Sequence, residues 1–282
     1  MLLRGIRDGL KRAARLAGIV TMAALALSGC SRDAGDRLVI TGSSTIAPLV
    51  TVIAQAFESA HPGVKIDVQA GGSSRGIADV RQGLAQLGMV SRALKPEEGD
   101  LAATTIAHDG IAMIVHRDNP IGALSGGQIV AIYTGKVRNW QEVGGPDAPI
   151  TVVNKAEGRS TLELFLSHFK LESPAIRADV VIGDNQQGIK TIAGNPQAIG
   201  YVSVGTAEFE ARRGTPIRLL PLDGVDATTA HVARGDFPLS RPLNLVQRGE
   251  PGRIAREFIA FATSPEVHDL VTGQYFVPLA GR

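Results

Sequence analysis

The sequence predicts an α/β fold on three observations. Short apolar strand candidates alternate with helical stripes from about residue 38 to residue 262. Three loops of glycine and hydroxyl residues each fall between a strand candidate and a helix candidate. No apolar run after the N-terminal segment reaches the length of a membrane span.

Residues 38–40 form the first strand candidate, and Leu49, Val52, Ile53, Ala56 and Phe57 then recur at helical spacing until His61-Pro62-Gly63 stops them. Val64, Ile66 and Val68 alternate as a strand, and Ile77, Val80 and Leu84 mark one helical face. Residues 106–116 read as a longer strand and 128–133 as a helix. The strand at 150–153 precedes a stripe of Leu162, Phe165, Leu166 and Phe169. Strands at 180–182 and 199–204 flank a short helix at 189–193. A strand at 243–246 and a helix at 254–262 complete the chain. This interleaving predicts mostly parallel sheets, in two lobes that share a cleft.

The N-terminus reads as an address. Arg4, Arg7, Lys11, Arg12 and Arg15 precede an apolar run at 16–27, too short to span a bilayer. Leu27-Ser28-Gly29-Cys30 resembles a bacterial lipobox, and the resemblance implies cleavage before Cys30 and lipidation of its thiol. A plain signal peptide with an incidental cysteine is the alternative. Residues 1–29 are thus a lipoprotein signal and 30–36 a lipidated tether. The expected location is periplasmic or extracytoplasmic, with membrane attachment through the lipid alone.

Composition narrows the function. Lys and Arg number 29 against 27 acids, but residues 30–282 carry 24 and 26. A body near −2 with 4% aromatic residues lacks the cationic surface and stacking platforms of a nucleic-acid binder. One cysteine excludes an internal disulfide and multi-cysteine metal sites, and no cofactor motif is present.

The three loops carry the chemistry. Thr41-Gly42-Ser43-Ser44-Thr45, Gly71-Gly72-Ser73-Ser74-Arg75-Gly76 and Glu157-Gly158-Arg159-Ser160-Thr161 each lead into a helix. Glycine admits close backbone approach, helix N-termini offer unpaired N–H groups, and hydroxyls add small donors. Together they make a site for a small oxyanion, to which Arg75, Arg92 and Arg159 can add forked donors. Serine and threonine at helix starts also serve as N-caps, and Asp79, Glu97 and Glu163 are alternative partners for the arginines.

The stretches at 40–48 (ITGSSTIAP), 71–77 (GGSSRGI), 88–92 (GMVSR), 156–161 (AEGRST) and 198–202 (AIGYV) resemble, in order, those of periplasmic phosphate-binding proteins. These are the substrate receptors of the phosphate ABC importer, and the resemblance spans most of 38–275. It implies a type II periplasmic-binding-protein fold, two α/β lobes joined by two crossover segments with a ligand cleft between. Residues 37–117 and 229–282 would form lobe one, and 118–228 lobe two. It places ligand positions on Ser44, Thr45, Ser73, Arg159, Ser160 and Thr161. Ser91, followed by Arg92, stands where some members have an aspartate that accepts the phosphate's proton, and Lys155 stands where those members have an arginine. With the loop neighbours, the candidate set is Ser43, Ser44, Thr45, Ser73, Ser74, Arg75, Ser91, Arg92, Gly158, Arg159, Ser160 and Thr161.

The expected ligand is inorganic phosphate, held by a monomer and passed to ABC permease subunits. Sulfate, molybdate or another oxyanion is the alternative, because a serine can donate as readily as it accepts. A phosphate sensor on the same fold is a second reading. Catalysis is not expected, since the six histidines are scattered and neither H-E-x-x-H nor G-x-S-x-G is present. Glu157 is either a substitute acceptor or an exposed loop acid. Asp184 and Asn185 are either a helix cap or a further amide for the cleft, and Trp140 either packs its lobe or docks a partner.

Overall fold

Strand β1 (Arg37–Gly42) opens the described part of the chain and buries Leu38 and Ile40. The structure is a computed structural model and describes residues 37–280; the signal, Cys30 and the tether lie outside the described residues. Helix α1 (Ala47–Ala60) carries Pro48 in its first turn, where a missing N–H costs nothing, and buries Leu49, Val50, Ile53, Ala54 and Phe57. Strand β2 (Lys65–Ala70), helix α2 (Ser73–Arg81) and the buried strand β3 (Leu87–Val90) follow. Leu84 lies beyond the end of α2 and is 63% exposed, so the helical face predicted through it stops at Val80.

Strand β4 (Leu101–His116) runs 16 residues, about 50 Å of extended chain. After it come α3 (Gly126–Tyr133), β5 (Thr151–Lys155), α4 (Ser160–Phe169), β6 (Val180–Ile182), α5 (Asn185–Ala193), β7 (Ala198–Ser203), α6 (Val204–Arg212) and β8 (Ile217–Leu219). Helix α7 (Thr229–Arg234), strand β9 (Ser240–Arg248) and helices α8 (Arg253–Ala262) and α9 (His268–Gly273) end the fold. The short elements β3, β8, α7 and α9 escaped the sequence reading because each shows too few residues to establish a period, and α6 because its buried residues, Val204, Gly205 and Ala207, make no large apolar stripe.

The strand order is β2-β1-β3-β9-β4-β7-β5-β6, with β8 also on β4. Pairs β1–β3, β5–β6 and β5–β7 are parallel, whereas β3–β9, β4–β9, β4–β7 and β4–β8 are antiparallel. The sheets are therefore mixed rather than mostly parallel. The cause is topological: β4 carries the chain from the first sheet to the second and β9 brings it back, so the two run in opposite directions. Residues 101–110 of β4 pair with β9, and Ile111 to His116 pair with β7 and β8.

Two main cores flank this crossing. One joins Leu38, Ile53, Phe57, Leu87, Leu245 and Phe258; the other joins Ile111, Met113, Tyr133, Trp140, Phe165 and Tyr201. Each wholly buried side chain of this size contributes roughly 1.5–3 kcal/mol. Trp140 is fully buried and its indole N–H donates to the Gln197 carbonyl at 3.0 Å, so it packs its lobe and offers no docking surface. Among the described residues no helix is long and apolar enough to cross a membrane.

Candidate functional site

The parallel strands β1 and β5 each deliver their chain to a helix N-terminus at the same place. The turn after β1 is tight: Gly42 has φ +131°, and a Cβ there would sit 2.4 Å from the Met89 carbonyl oxygen. The Gly42 carbonyl in turn accepts the N–H groups of Gly71 (2.7 Å) and Gly72 (2.8 Å), which ties the second loop to the first. Across from them, the third loop is so close that a Cβ on Gly72 would meet the Gly158 carbonyl oxygen at 2.8 Å.

Between the loops lies a small hollow of about 10 Å³, lined by Ser43, Ser44, Thr45, Gly72, Ser73, Ser91, Arg159, Ser160 and Thr161. Sites for drug-sized ligands occupy roughly 300–1,000 Å³. The hollow is far smaller than that, so a nucleotide or a sugar chain does not fit it. Eight of the predicted site residues line it: Ser43, Ser44, Thr45, Ser73, Ser91, Arg159, Ser160 and Thr161.

Four predicted residues lie elsewhere. Arg75 is exposed and bonds Asp79 (3.2 Å) and Gln69 (3.1 Å). Ser74 is exposed and donates to Glu163 at 3.3 Å. Gly158 turns its carbonyl to the Ser74 N–H at 3.3 Å. Arg92 is buried, but its fork grips Glu98 at 2.7 and 2.8 Å and its Nε donates to Glu163 at 2.9 Å. Burial opposes these charges, yet their mutual hydrogen bonds hold Arg92 above and Glu98 below their ordinary values. Lys95 joins Glu163 at 2.8 Å. Both cations are thus paired with acids in this structure.

The hydroxyls at the hollow are not caps. Helices α3, α5, α6 and α7 have side-chain caps from Ser125, Asp184, Ser203 and Thr228. The helices that open on the hollow, α1, α2 and α4, have none. No side chain caps these three helix ends, although the Ala47, Ser74 and Leu162 N–H groups already bond the backbone carbonyls of Ser43, Gly158 and Arg159. Among the described residues, four buried side-chain polar atoms have no partner, and one of them, Ser160 Oγ, lines the hollow. A buried hydroxyl without a partner costs about 1–3 kcal/mol, which a ligand would recover.

Three cations surround this cluster. Arg159 Nη1 donates to Ser44 Oγ at 3.3 Å. Lys155 is buried, with Nζ on the Asn185 amide oxygen at 3.1 Å, and the Asn185 amide nitrogen donates to Thr45 at 3.4 Å. Burial first, and then the charges of Arg241 and Arg159 against the opposing pull of Asp184, bring the Lys155 ammonium down to about 7. Arg241 is the third, and the sequence reading missed it. Its signal lies in its own strand, where it shares the buried parity of Leu243 and Leu245. Asp109, its partner at 2.9 Å, is likewise a charge inside an apolar strand. Asp184 caps α5, and Glu157 is exposed and hydrogen-bonded to Ser173, so no carboxylate lines the hollow.

The family model of the PBP superfamily domain matches residues 30–266. The phosphate-binding protein PstS of Bacillus subtilis is 32% identical over 252 residues, 87% of this chain and 82% of the relative. The chain belongs to this family of ABC-transporter substrate-binding proteins. A Clostridium perfringens structure, described as a phosphate ABC transporter substrate-binding protein with bound phosphate, is 33% identical with a TM-score of 0.80. The alignment covers 87% of this chain and all of that one. An ABC-type phosphate transport receptor from Vibrio cholerae follows at 28% identity and TM-score 0.72, over 86% of this chain and all of its own. The family confirms the periplasmic-binding fold and makes this chain a transport receptor, not an enzyme. Among the described residues no group of three or more His, Cys, Asp or Glu could hold a metal ion.

Proposed function

We propose that the chain captures inorganic phosphate, as HPO4 2− or H2PO4 −, in the hollow between its lobes and presents it to ABC permease subunits. The observation that carries this reading is the unpartnered, buried Ser160 hydroxyl beside three helix N-termini without side-chain caps, in the small hollow that the three loops share. Arg159 and Lys155 supply the countercharge, while the charge of Arg241 is balanced by Asp109. The names of the matched relatives, phosphate-binding proteins and receptors, support the choice of anion.

The lobes divide best where the packing changes. Ile111, Met113, Val232, Phe237 and Leu239 belong to the second core. We therefore place the hinge at 110/111 and 239/240, inside the 117/118 and 228/229 divisions predicted from sequence. The protein would work as a monomer that closes on its ligand and offers the closed shape to the permease. Anchoring through a lipid on Cys30, at the extracytoplasmic face, is part of this proposal and rests on the lipobox-like segment at 27–30.

Titration calorimetry tests the ligand. Phosphate should bind the purified chain, and Arg159→Ala and Ser160→Ala should each weaken binding at least tenfold, matching the roughly 1.5–3 kcal/mol of a hydrogen bond to a charged group. Affinities unchanged in both variants would remove the hollow from the function. Sulfate is the second reading, favoured by the lack of a carboxylate at the hollow to repel it. Tighter binding of sulfate than of phosphate would select it.

A further inference from the structure

Arg241 lies where the returning strand β9 begins, at the crossing between lobes, and only 1% of its side chain is exposed. Its guanidinium has five N–H donors, and the structure gives each an acceptor. Nε donates to Asp109 Oδ2 at 3.2 Å, and Nη2 to the same oxygen at 2.9 Å. Nη2 also donates to Thr45 Oγ1 at 3.5 Å, and Nη1 to Ser91 Oγ at 3.4 Å and Thr161 Oγ1 at 3.1 Å. Asp109 is fixed from its other side by the Ser203 hydroxyl (3.0 Å) and the Gly205 N–H (3.2 Å). The fork therefore cannot turn without breaking a buried ion pair.

These three hydroxyls line the hollow, and they come from both lobes. A hydroxyl has one proton and two lone pairs. Where an N–H from behind occupies the oxygen, the proton is free to point forward. Thr45 receives a second N–H from Asn185, which fills its accepting capacity. With all five donors engaged, Arg241 has none left for a ligand.

We propose that Arg241 is a positioning and specificity-determining residue: it orients the hydroxyl protons of Thr45, Ser91 and Thr161 into the hollow and so makes the site a donor surface. This rests on the reading of the hollow as an oxyanion site. Sulfate, which has no proton, needs donors only. Hydrogen phosphate needs one acceptor as well, and Thr45 and Ser91 withhold it, because Asn185 and Arg241 fill the lone pairs of the first and Ser43 and Arg241 those of the second. Arg241 thus strengthens the grip on any dianion while narrowing the preference for phosphate over sulfate.

The test compares Arg241→Lys and Arg241→Gln with the unaltered chain, using calorimetry with phosphate and with sulfate at one pH and salt concentration. Lysine keeps the charge but not the fork. Both variants should bind phosphate at least tenfold more weakly and sulfate more weakly still, so the phosphate-to-sulfate affinity ratio rises threefold or more. A merely structural role would lower both affinities by the same factor. An unchanged ratio, or phosphate affinity within threefold of the unaltered chain, overturns the inference. If Arg241→Gln does not fold because Asp109 is stranded, the paired variant Asp109→Asn with Arg241→Gln removes both charges and is judged by the same ratio. Failure of the unaltered chain to bind either anion would instead defeat the oxyanion reading itself.

Discussion

Lys155 faces a buried neutral amide rather than a carboxylate, with two arginine charges acting on it. Its ammonium is brought from 10.5 down to about 7, so in the empty fold it is largely neutral above that pH. The unfolded chain keeps this proton up to its ordinary value. Between about pH 7 and 10 the unfolded state therefore binds more protons, and the group's contribution to stability rises with pH across that window. A bound anion reverses the preference by favouring the charged form. Phosphate binding at pH 8 should then take up a sizeable fraction of a proton, read from calorimetry in buffers of different ionisation enthalpy. Lys155→Met should abolish the uptake; the same uptake in that variant would assign it to another group. Arg75 and Arg92 show the converse at the same scale. Nearby acids satisfy both, so cationic residues flanking a hydroxyl loop need not contact the ligand.

Helix α4 contributes more than an N-terminus. Ser160 and Thr161 on its first turn face the hollow, and Glu163 faces the opposite lobe. There Glu163 receives Arg92, Lys95 and Ser74, from the segment after β3 and from α2. This cluster ties the lobes outside the residues that line the hollow. The Glu163 side chain is 21% exposed, so salt and water weaken but do not abolish the attraction. Glu163→Gln should lower the apparent phosphate affinity about three- to tenfold by shrinking the closed population. Small-angle scattering of the unliganded variant should show a larger radius of gyration. Identical affinity and scattering would mean that the cluster plays no part in closure. The helical stripes and loop positions at this scale are legible in the sequence, because a period of 3.6 and a Gly-hydroxyl turn are local signals. The short strands β3 and β8 are not, since three or four residues show no period.

Across the whole molecule, the crossing strands join the two sheets beside the hollow. Strand β4 pairs with β9 up to Gly110 and with β7 and β8 beyond it, so one strand serves both sheets. A rotation about this crossing would carry Thr161 away from Thr45, while Arg241 stays at the pivot between them. Attachment to a membrane belongs to this scale too. Cys30→Ser should move the protein from the detergent-extracted membrane fraction to the soluble extracytoplasmic fraction and abolish labelling by a fatty-acid probe. A labelled or membrane-bound variant would argue against the cysteine anchor.

The sequence by itself determined the alternating architecture, the three hydroxyl turns and the family they resemble, because each is written in neighbouring residues. Tertiary structure alone decided which charges stand beside the hollow. Arg241 lies 80 residues from Thr161 and 196 from Thr45, and strand register across the two sheets is what brings them together. It also paired Arg75 with Asp79 and Arg92 with Glu98 and Glu163, since an ion pair is a matter of distance and burial, and neither is a property of the chain until it folds.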